Sequence, residues 1–181
     1  TFLTQMKVAA LFGLAFFVIF YGNVFLANRL SSRGYWVDQD ELIHTPPWEL
    51  GNQSLKGLIL LASVIFSLFA ALRGSAHWED FLQFYNATPF QISDPVFARD
   101  IGFYVFQIPF LKTLYRWAMT VLALAALGSG LLYFLRRSFQ FIPPKELRVA
   151  QAARAPLTIL IACLFFVGAG GAWLELNEIL F

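Results

Sequence analysis

Two clusters of charged side chains have the residue types and spacing to do chemistry. Residues 93 to 110 read SDPVFARDIGFYVFQIPF, an acid–base–acid trio of Asp94, Arg99 and Asp100 set among five aromatics. Such a trio suits an ion or a polar headgroup at the mouth of a helical bundle. It equally suits a folding role. Asp94 before Pro95 is the pattern of a helix N-cap followed by proline at the first helical position, where a missing N–H costs nothing. Arg99 would then orient the segment through an ion pair. Surface pairs of that kind are common and weak, so the folding role is the stronger reading.

The second cluster, Asp38, Asp40 and Glu41, places three acids in four residues. It lacks the glycine and the distal glutamate of a calcium loop and reads as a solvated segment. His44 and His77 fall on opposite sides of the membrane in the topology set by the apolar blocks, and no Cys/His ligand spacing exists. Cys163 is alone in an apolar block and forms no internal disulfide. No nucleophile–base pairing is evident. The sequence therefore gives no catalytic, metal-binding or cofactor-binding residue.

The elements that position these residues are set by composition. The chain of 181 residues is 59% hydrophobic and 13% charged, with a mean hydropathy of +0.64. A soluble chain carries about 25% charged residues, so this one has too few to cover a water-facing surface. The apolar excess falls into four blocks, each near the ~20 residues that cross a bilayer. These blocks predict spans at about 6 to 27, 55 to 72, 108 to 135 (apolar centre 117 to 135) and 156 to 174. The first is too long for a signal-peptide core, and Asn28-Arg29 makes a poor cleavage context. The chain opens on Thr1 with no initiator Met, as a processed or truncated polypeptide would. A net charge of +2 gives no reason to expect nucleic acid. The fold class expected is an all-α membrane protein, a polytopic bundle of four transmembrane helices with short amphipathic interfacial helices between the second and third spans.

Orientation is set by the Lys and Arg residues of the short loops. Eight lie on one side: Arg29, Arg33 and Lys56 in one loop, and Arg136, Arg137, Lys145, Arg148 and Arg154 in the other. Five lie opposite: Lys7, Arg73, Arg99, Lys112 and Arg116. The loop 136 to 154 is thus expected in the cytoplasm and the region 75 to 107 outside.

That outer region reads as a collar. In SAHWEDFLQFYNATPF, Ser75 suits an N-cap, and Glu79 and Asp80 sit where a helix dipole favours acids. Trp78, Phe81, Leu82 and Tyr85 recur at helical spacing, and Asn86 to Pro89 ends the helix. A second short helix would begin at Ser93 or Asp94, and Pro109 would interrupt or kink the chain as it enters the third span. Both helices are rich in the aromatics that suit the headgroup level.

The apolar centres contain no Asp, Glu, Lys, Arg or His. Intramembrane charge marks proton relays and ion pathways, so these spans alone make a poor transporter core. Asn23 is the strongly polar side chain inside a span, and a helix–helix hydrogen bond accounts for it. Lys112 and Arg116, at i,i+4, would attract anionic headgroups or snorkel, snorkelling being the simpler. Small residues recur at four-residue spacing: Ser63, Ser67 and Ala71 in the second span, Ala126 and Gly130 in the third, Gly168 and Ala172 in the fourth. Such stripes let helix backbones approach, and these faces are expected to meet protein rather than lipid.

The order Trp78, FLQF, Pro89-Phe90, Asp94-Pro95-Val-Phe97, Arg99-Asp100, Gly102-Phe103-Tyr104-Val-Phe106 and Pro109-Phe110 resembles the uncharacterised protein family 0182 of bacterial integral membrane proteins. The likeness is sharpest over residues 78 to 117. The apolar span after it, the basic loop and the ending AWLELNEILF are similar in order. It implies a protein of about seven spans with a large extracytoplasmic C-terminal domain, of which this chain is a part. It implies no reaction, and no catalytic residue is carried over. Gln91 and Ala98 stand where glycine is usual in that family. Each replaces a permissive backbone position by an ordinary one, so the turn between 90 and 99 is expected to differ.

The function expected is a non-enzymatic bacterial inner-membrane domain, in contact with the lipid bilayer and with other membrane subunits or the remainder of the same protein. It would scaffold or anchor a larger membrane assembly. The alternative is part of a transport or lipid-handling machine. That reading expects a tunnel under the collar lined by Phe103, Phe106 and Phe110, with Lys112 or Arg116 at its mouth and Tyr104 among the lipid-contacting residues.

Overall fold

The computed structural model describes residues 2–31, 52–95, 97–135, 139–142, 146–149 and 151–178. Asp38, Asp40, Glu41 and His44 lie outside the described residues.

Four long helices form the bundle: α1 (Phe2–Ser31), α2 (Asn52–Ala76), α4 (Ile108–Leu135) and α5 (Gln151–Glu178). Each is long and apolar enough to cross a membrane. At ~1.5 Å per residue, even the 25-residue α2 exceeds the ~30 Å of a hydrocarbon core. The short α3 (Trp78–Tyr85) and a π-helical turn at 103 to 107 lie between α2 and α4. A two-stranded antiparallel hairpin, β1 (Phe139–Ile142) with β2 (Glu146–Val149), precedes α5, and Phe139 pairs with Val149 and Ile142 with Glu146. The expected all-α membrane fold is thus observed, with this hairpin added where the sequence suggests only a polar loop.

α1 is the hub, packing on α2, α4 and α5, while α4 packs on α5. Its buried face is Phe16, Phe20, Val24 and Ala27, which meet Leu55, Ile59 and Ala70 of α2 and Val121, Ala125, Leu132 and Tyr133 of α4. The outward faces carry large exposed apolar side chains such as Leu14, Leu68 and Phe166, as expected where lipid replaces water.

Close approaches are made at small residues. A Cβ at Gly13 would meet Ala71 Cβ at 2.8 Å and the Ser67 carbonyl at 3.2 Å. Ser63 is fully buried beside them, its hydroxyl donating to the Ile59 carbonyl at 2.7 Å. The α2 stripe therefore faces α1. In α4 and α5 the near approaches fall elsewhere than the stripes suggest. Gly128 abuts Val24 and Phe20, and Gly171 abuts the Tyr115 ring, whereas Gly130 and Gly168 meet nothing within 4 Å. Ala126 is half-buried beside the fully buried Ala125, and Ala172 is exposed. Small residues are scattered through both helices, so a four-residue spacing does not by itself select a face. Asn23 donates to the Ile19 carbonyl of its own helix at 2.7 Å rather than across to a neighbour.

Candidate functional site: the collar and its clefts

The N-terminus of α4 and the C-termini of α2 and α5 converge on the collar. α2 runs on to Ala76 through Gly74, whose backbone packs against Phe12. Ser75 is consequently inside α2, donating to the Leu72 carbonyl at 2.7 Å, and does not cap α3. His77 takes the N-cap position, and its Nδ1 lies 3.0 Å from Asp80 Oδ2. Thr113 of α4 donates to the same Asp80 oxygen at 3.1 Å, tying α3 to α4. Asn86 ends α3 as expected, its backbone N–H reaching the Leu82 carbonyl at 3.0 Å. Trp78 opens α3 half-buried. Tyr85, placed on the apolar face by spacing, is 78% exposed. Phe84 packs on Phe110 instead, at 4.5 Å between ring centroids.

The described residues between 90 and 100 form no second helix. They make a hairpin-like loop closed by an antiparallel bridge between Ser93 and Asp100. The Asp94 N–H donates to the Arg99 carbonyl at 2.8 Å, and the Ile101 N–H to the Ile92 carbonyl at 3.0 Å. Asp94 caps a turn rather than a helix, with Oδ2 accepting the Phe97 N–H at 2.9 Å and the Tyr104 hydroxyl at 3.3 Å. Asp followed by Pro suits the first two positions of a type I turn as well as a helix start, so the local pattern was ambiguous.

Asp100 decides the outcome. Its Oδ1 accepts the Phe90 N–H at 3.0 Å and the Gly102 N–H at 2.6 Å, and its Oδ2 accepts the Gln91 N–H at 2.7 Å. The bond from Phe90 is the main cause holding the Asp100 carboxyl below the ordinary value of 3.8, helped by Gly102 and Gln91 and opposed by desolvation. Gly102 is needed because a Cβ there would lie 2.8 Å from both Asp100 Oδ1 and the Thr88 carbonyl. Gln91 and Ala98 keep left-handed backbones, at φ 59° and 51°. The conformation that glycine adopts freely is therefore imposed on ordinary residues, rather than abandoned as expected.

Arg99 makes a different contact from the predicted ion pair. Its guanidinium carbon sits 4.7 Å from the Phe103 ring centroid and 5.0 Å from that of Trp173 in α5. A delocalised, weakly hydrated cation is well suited to lie against two rings. The trio thus joins the loop to α5. Sequence spacing could not reveal this, since Trp173 lies more than seventy residues away.

α4 begins through the π-turn, in which the Ile108 N–H bonds to the Phe103 carbonyl. Pro109 has no N–H for the carbonyl four residues back, and its ring would crowd that carbonyl in a regular helix. The wider turn accommodates both effects.

Two clefts open beside the collar. The first, about 500 Å³, includes Tyr104, Ile108, Lys112 and Arg116 in its lining, with His77 and Asp80 at one wall. The rings expected to line a tunnel are elsewhere: Phe106 stacks on Phe90, Phe110 packs on Phe81 and Phe84, and Phe103 meets Trp173. Residues 101, 105, 108, 112 and 116 occupy the neighbouring face of the chain, which explains the displacement. The second cleft, about 420 Å³, descends between α1, α2 and α4 and shares His77, Thr113 and Arg116 with the first. Its existence depends on helix packing and was not legible in the sequence. Among the described residues no group of three His, Cys, Asp or Glu is placed to hold a metal.

Four apolar helices, an aromatic collar and lipid-like outer faces define a polytopic helical membrane domain. More narrowly, the chain belongs to the uncharacterised protein family UPF0182, whose profile it matches over residues 1–181. It is 33% identical over 132 residues to a UPF0182 protein of Clostridium tetani, covering 72% of this chain and 15% of that protein. It is 29% identical to one from Trichodesmium erythraeum, covering 92% of this chain and 18% of the relative. A Salinispora arenicola relative is 31% identical, with 92% and 17% covered. The chain therefore spans less than a fifth of the length of these curated relatives. No solved structure matches it.

Proposed function

We propose that this chain is a non-enzymatic anchoring domain of a larger bacterial inner-membrane protein, in which the collar fixes the outer ends of the spans for the rest of the protein or for partner subunits. One observation carries the reading: the charges of the trio are engaged in holding structure. Asp100 binds three backbone N–H groups, Asp94 caps a turn, and Arg99 clamps α5. A site built for turnover would direct such groups towards a cavity. In this reading the loop 136 to 154 lies in the cytoplasm and the collar outside, in keeping with the excess of Lys and Arg in that loop.

The test uses the full-length protein. Arg99→Ala and Trp173→Leu are expected to lower its thermal stability, each by about 0.5–1 kcal/mol for the cation–π contact alone, and less than additively when combined. Retained stability and assembly with loss of a cellular phenotype would reject the anchoring role. Orientation is checked by impermeant thiol labelling of cysteines placed at Ser138 and Gln83, in a Cys163→Ala background. Labelling of position 83, and not of 138, from outside intact cells is the expected pattern.

A further inference from the structure

We propose that the cleft between α1, α2 and α4 holds one acyl chain of an anionic phospholipid, with the phosphate seated on Arg73 and Arg116. The inference goes beyond the anchoring role and does not depend on it.

Depth and polarity point to the chain. The cleft runs along α4 from Arg116 to Leu124, about 12 Å at ~1.5 Å per residue. Phe12 lines it beside Gly74 at the level of the mouth, and Phe16, Phe66 and Phe69 also line it. Phe69 is 63% exposed at the outer edge of α2, so the cleft opens sideways towards the lipid. A chain entering from the bilayer would meet mainly rings and methyl groups, with Thr120 and the Trp117 indole N–H as polar groups of the wall, and would supply dispersion contacts along the slot.

The upper end is basic. Arg73 closes α2 and Arg116 stands in the first turns of α4, both exposed and both lining the cleft. Lys112 lies one turn above Arg116 in the adjoining cleft. Asp80 lines the adjoining cleft and not this one, and is engaged there by His77 and Thr113. Two arginines at the mouth of an apolar slot, at the collar end of three spans, complement a phosphate diester attached to an acyl chain. Guanidinium groups bind phosphate oxygens through paired N–H donors.

The experiment is native mass spectrometry of the full-length protein, extracted in detergent and exchanged into mixtures of phosphatidylglycerol and phosphatidylcholine. The expected result is retention of one phosphatidylglycerol at least tenfold over phosphatidylcholine. Arg73→Gln combined with Arg116→Gln should reduce that preference to near unity. Thr120→Phe, at an exposed position lining the cleft, should displace the lipid while leaving both arginines in place and the melting temperature of the delipidated protein unchanged. Equal retention of the two lipids would overturn the proposal. So would retention insensitive to Thr120→Phe, which would locate the lipid elsewhere on the surface. Inorganic phosphate competing as well as the lipid would show an anion site without a chain and would also overturn it. Absence of any retained lipid, as when other spans of the full protein fill the cleft, has the same consequence.

Discussion

The collar loop and the helical bundle are held together by opposite kinds of force. Between residues 90 and 102, position is set by a few directional bonds, above all the three that converge on Asp100. In the bundle, position is set by shape, because lipid is as apolar as the side chains and gives helices little hydrophobic reason to associate. Close approach of backbones then matters most, and Gly13, Gly128 and Gly171 provide it. The loop consequently depends on residue identity, and the bundle on residue size at a few places. The exposed apolar side chains of α2 and α5, such as Leu68 and Phe166, make few contacts within this chain, whereas Asp100 accepts three bonds at once.

The largest expected effects separate two kinds of glycine in the same helices. Gly13→Leu drives a side chain into Ala71 and the Ser67 carbonyl, and Gly171→Leu drives one into Tyr115. Each should cost about 1–3 kcal/mol or more, as overpacking generally does. Gly130→Leu and Gly168→Leu enter open space within this chain and should leave stability unchanged or raise it by up to about 1 kcal/mol. Thermal unfolding of the full-length protein in nanodiscs reads the difference. If Gly130→Leu proved as harmful as Gly171→Leu, spans beyond this chain would be packing on α4, and these four helices would be one layer of a larger bundle.

The same contrast explains what was legible in the sequence. The spans were visible because their signal is local: twenty apolar residues bounded by charges require nothing distant. The faces of α4 and α5 were not, because Ala126 with Gly130 and Gly168 with Ala172 look as suitable as Gly128 and Gly171 until Phe20 and Tyr115 are placed opposite them. The loop failed for a different reason. Asp94-Pro95 opens a helix or a turn equally well, and the choice is made by Asp100 reaching back ten residues to the Phe90 N–H. Arg99 was recognised as an orienting residue, but its ring partner Trp173 lies on another helix. The clefts were invisible because Phe12, Phe66 and Leu124 come from three separate helices.

A smaller effect, of opposite sign, sharpens the loop side of the comparison. Gln91 and Ala98 hold φ values of 59° and 51°, in a region that costs an ordinary L-residue about 1–2 kcal/mol. Glycine removes that cost, while its freer unfolded chain returns about 0.5–1 kcal/mol. Gln91→Gly and Ala98→Gly should therefore each stabilise the protein by up to about 1 kcal/mol. Both side chains are exposed, so little packing is lost to obscure the result. A destabilised Ala98→Gly would mean that the left-handed backbone is not under strain there.

The finest distinction is read from the pH dependence of the Asp100 contribution, not from a loss at one pH. Its carboxyl is held below the ordinary value of 3.8 in the folded protein, chiefly by the Phe90 N–H. A carboxyl depressed by folding contributes stability that is fully present above its unfolded value and disappears as pH falls through the folded one. The contribution should be constant from pH 7 to about 5 and then decline gradually as pH falls through 3.8 towards the lower folded value. Asp100→Asn removes the titration and leaves one amide oxygen to serve three donors. The variant should be less stable at neutral pH, and the gap from the parent should close as the parent becomes protonated. Bundle variants such as Gly171→Leu alter no charge and should instead keep a pH-independent gap. Melting curves between pH 7 and 3 compare the two. Parallel curves for Asp100→Asn and the parent would show that the loop is held by shape, as the bundle is, and not by the carboxylate.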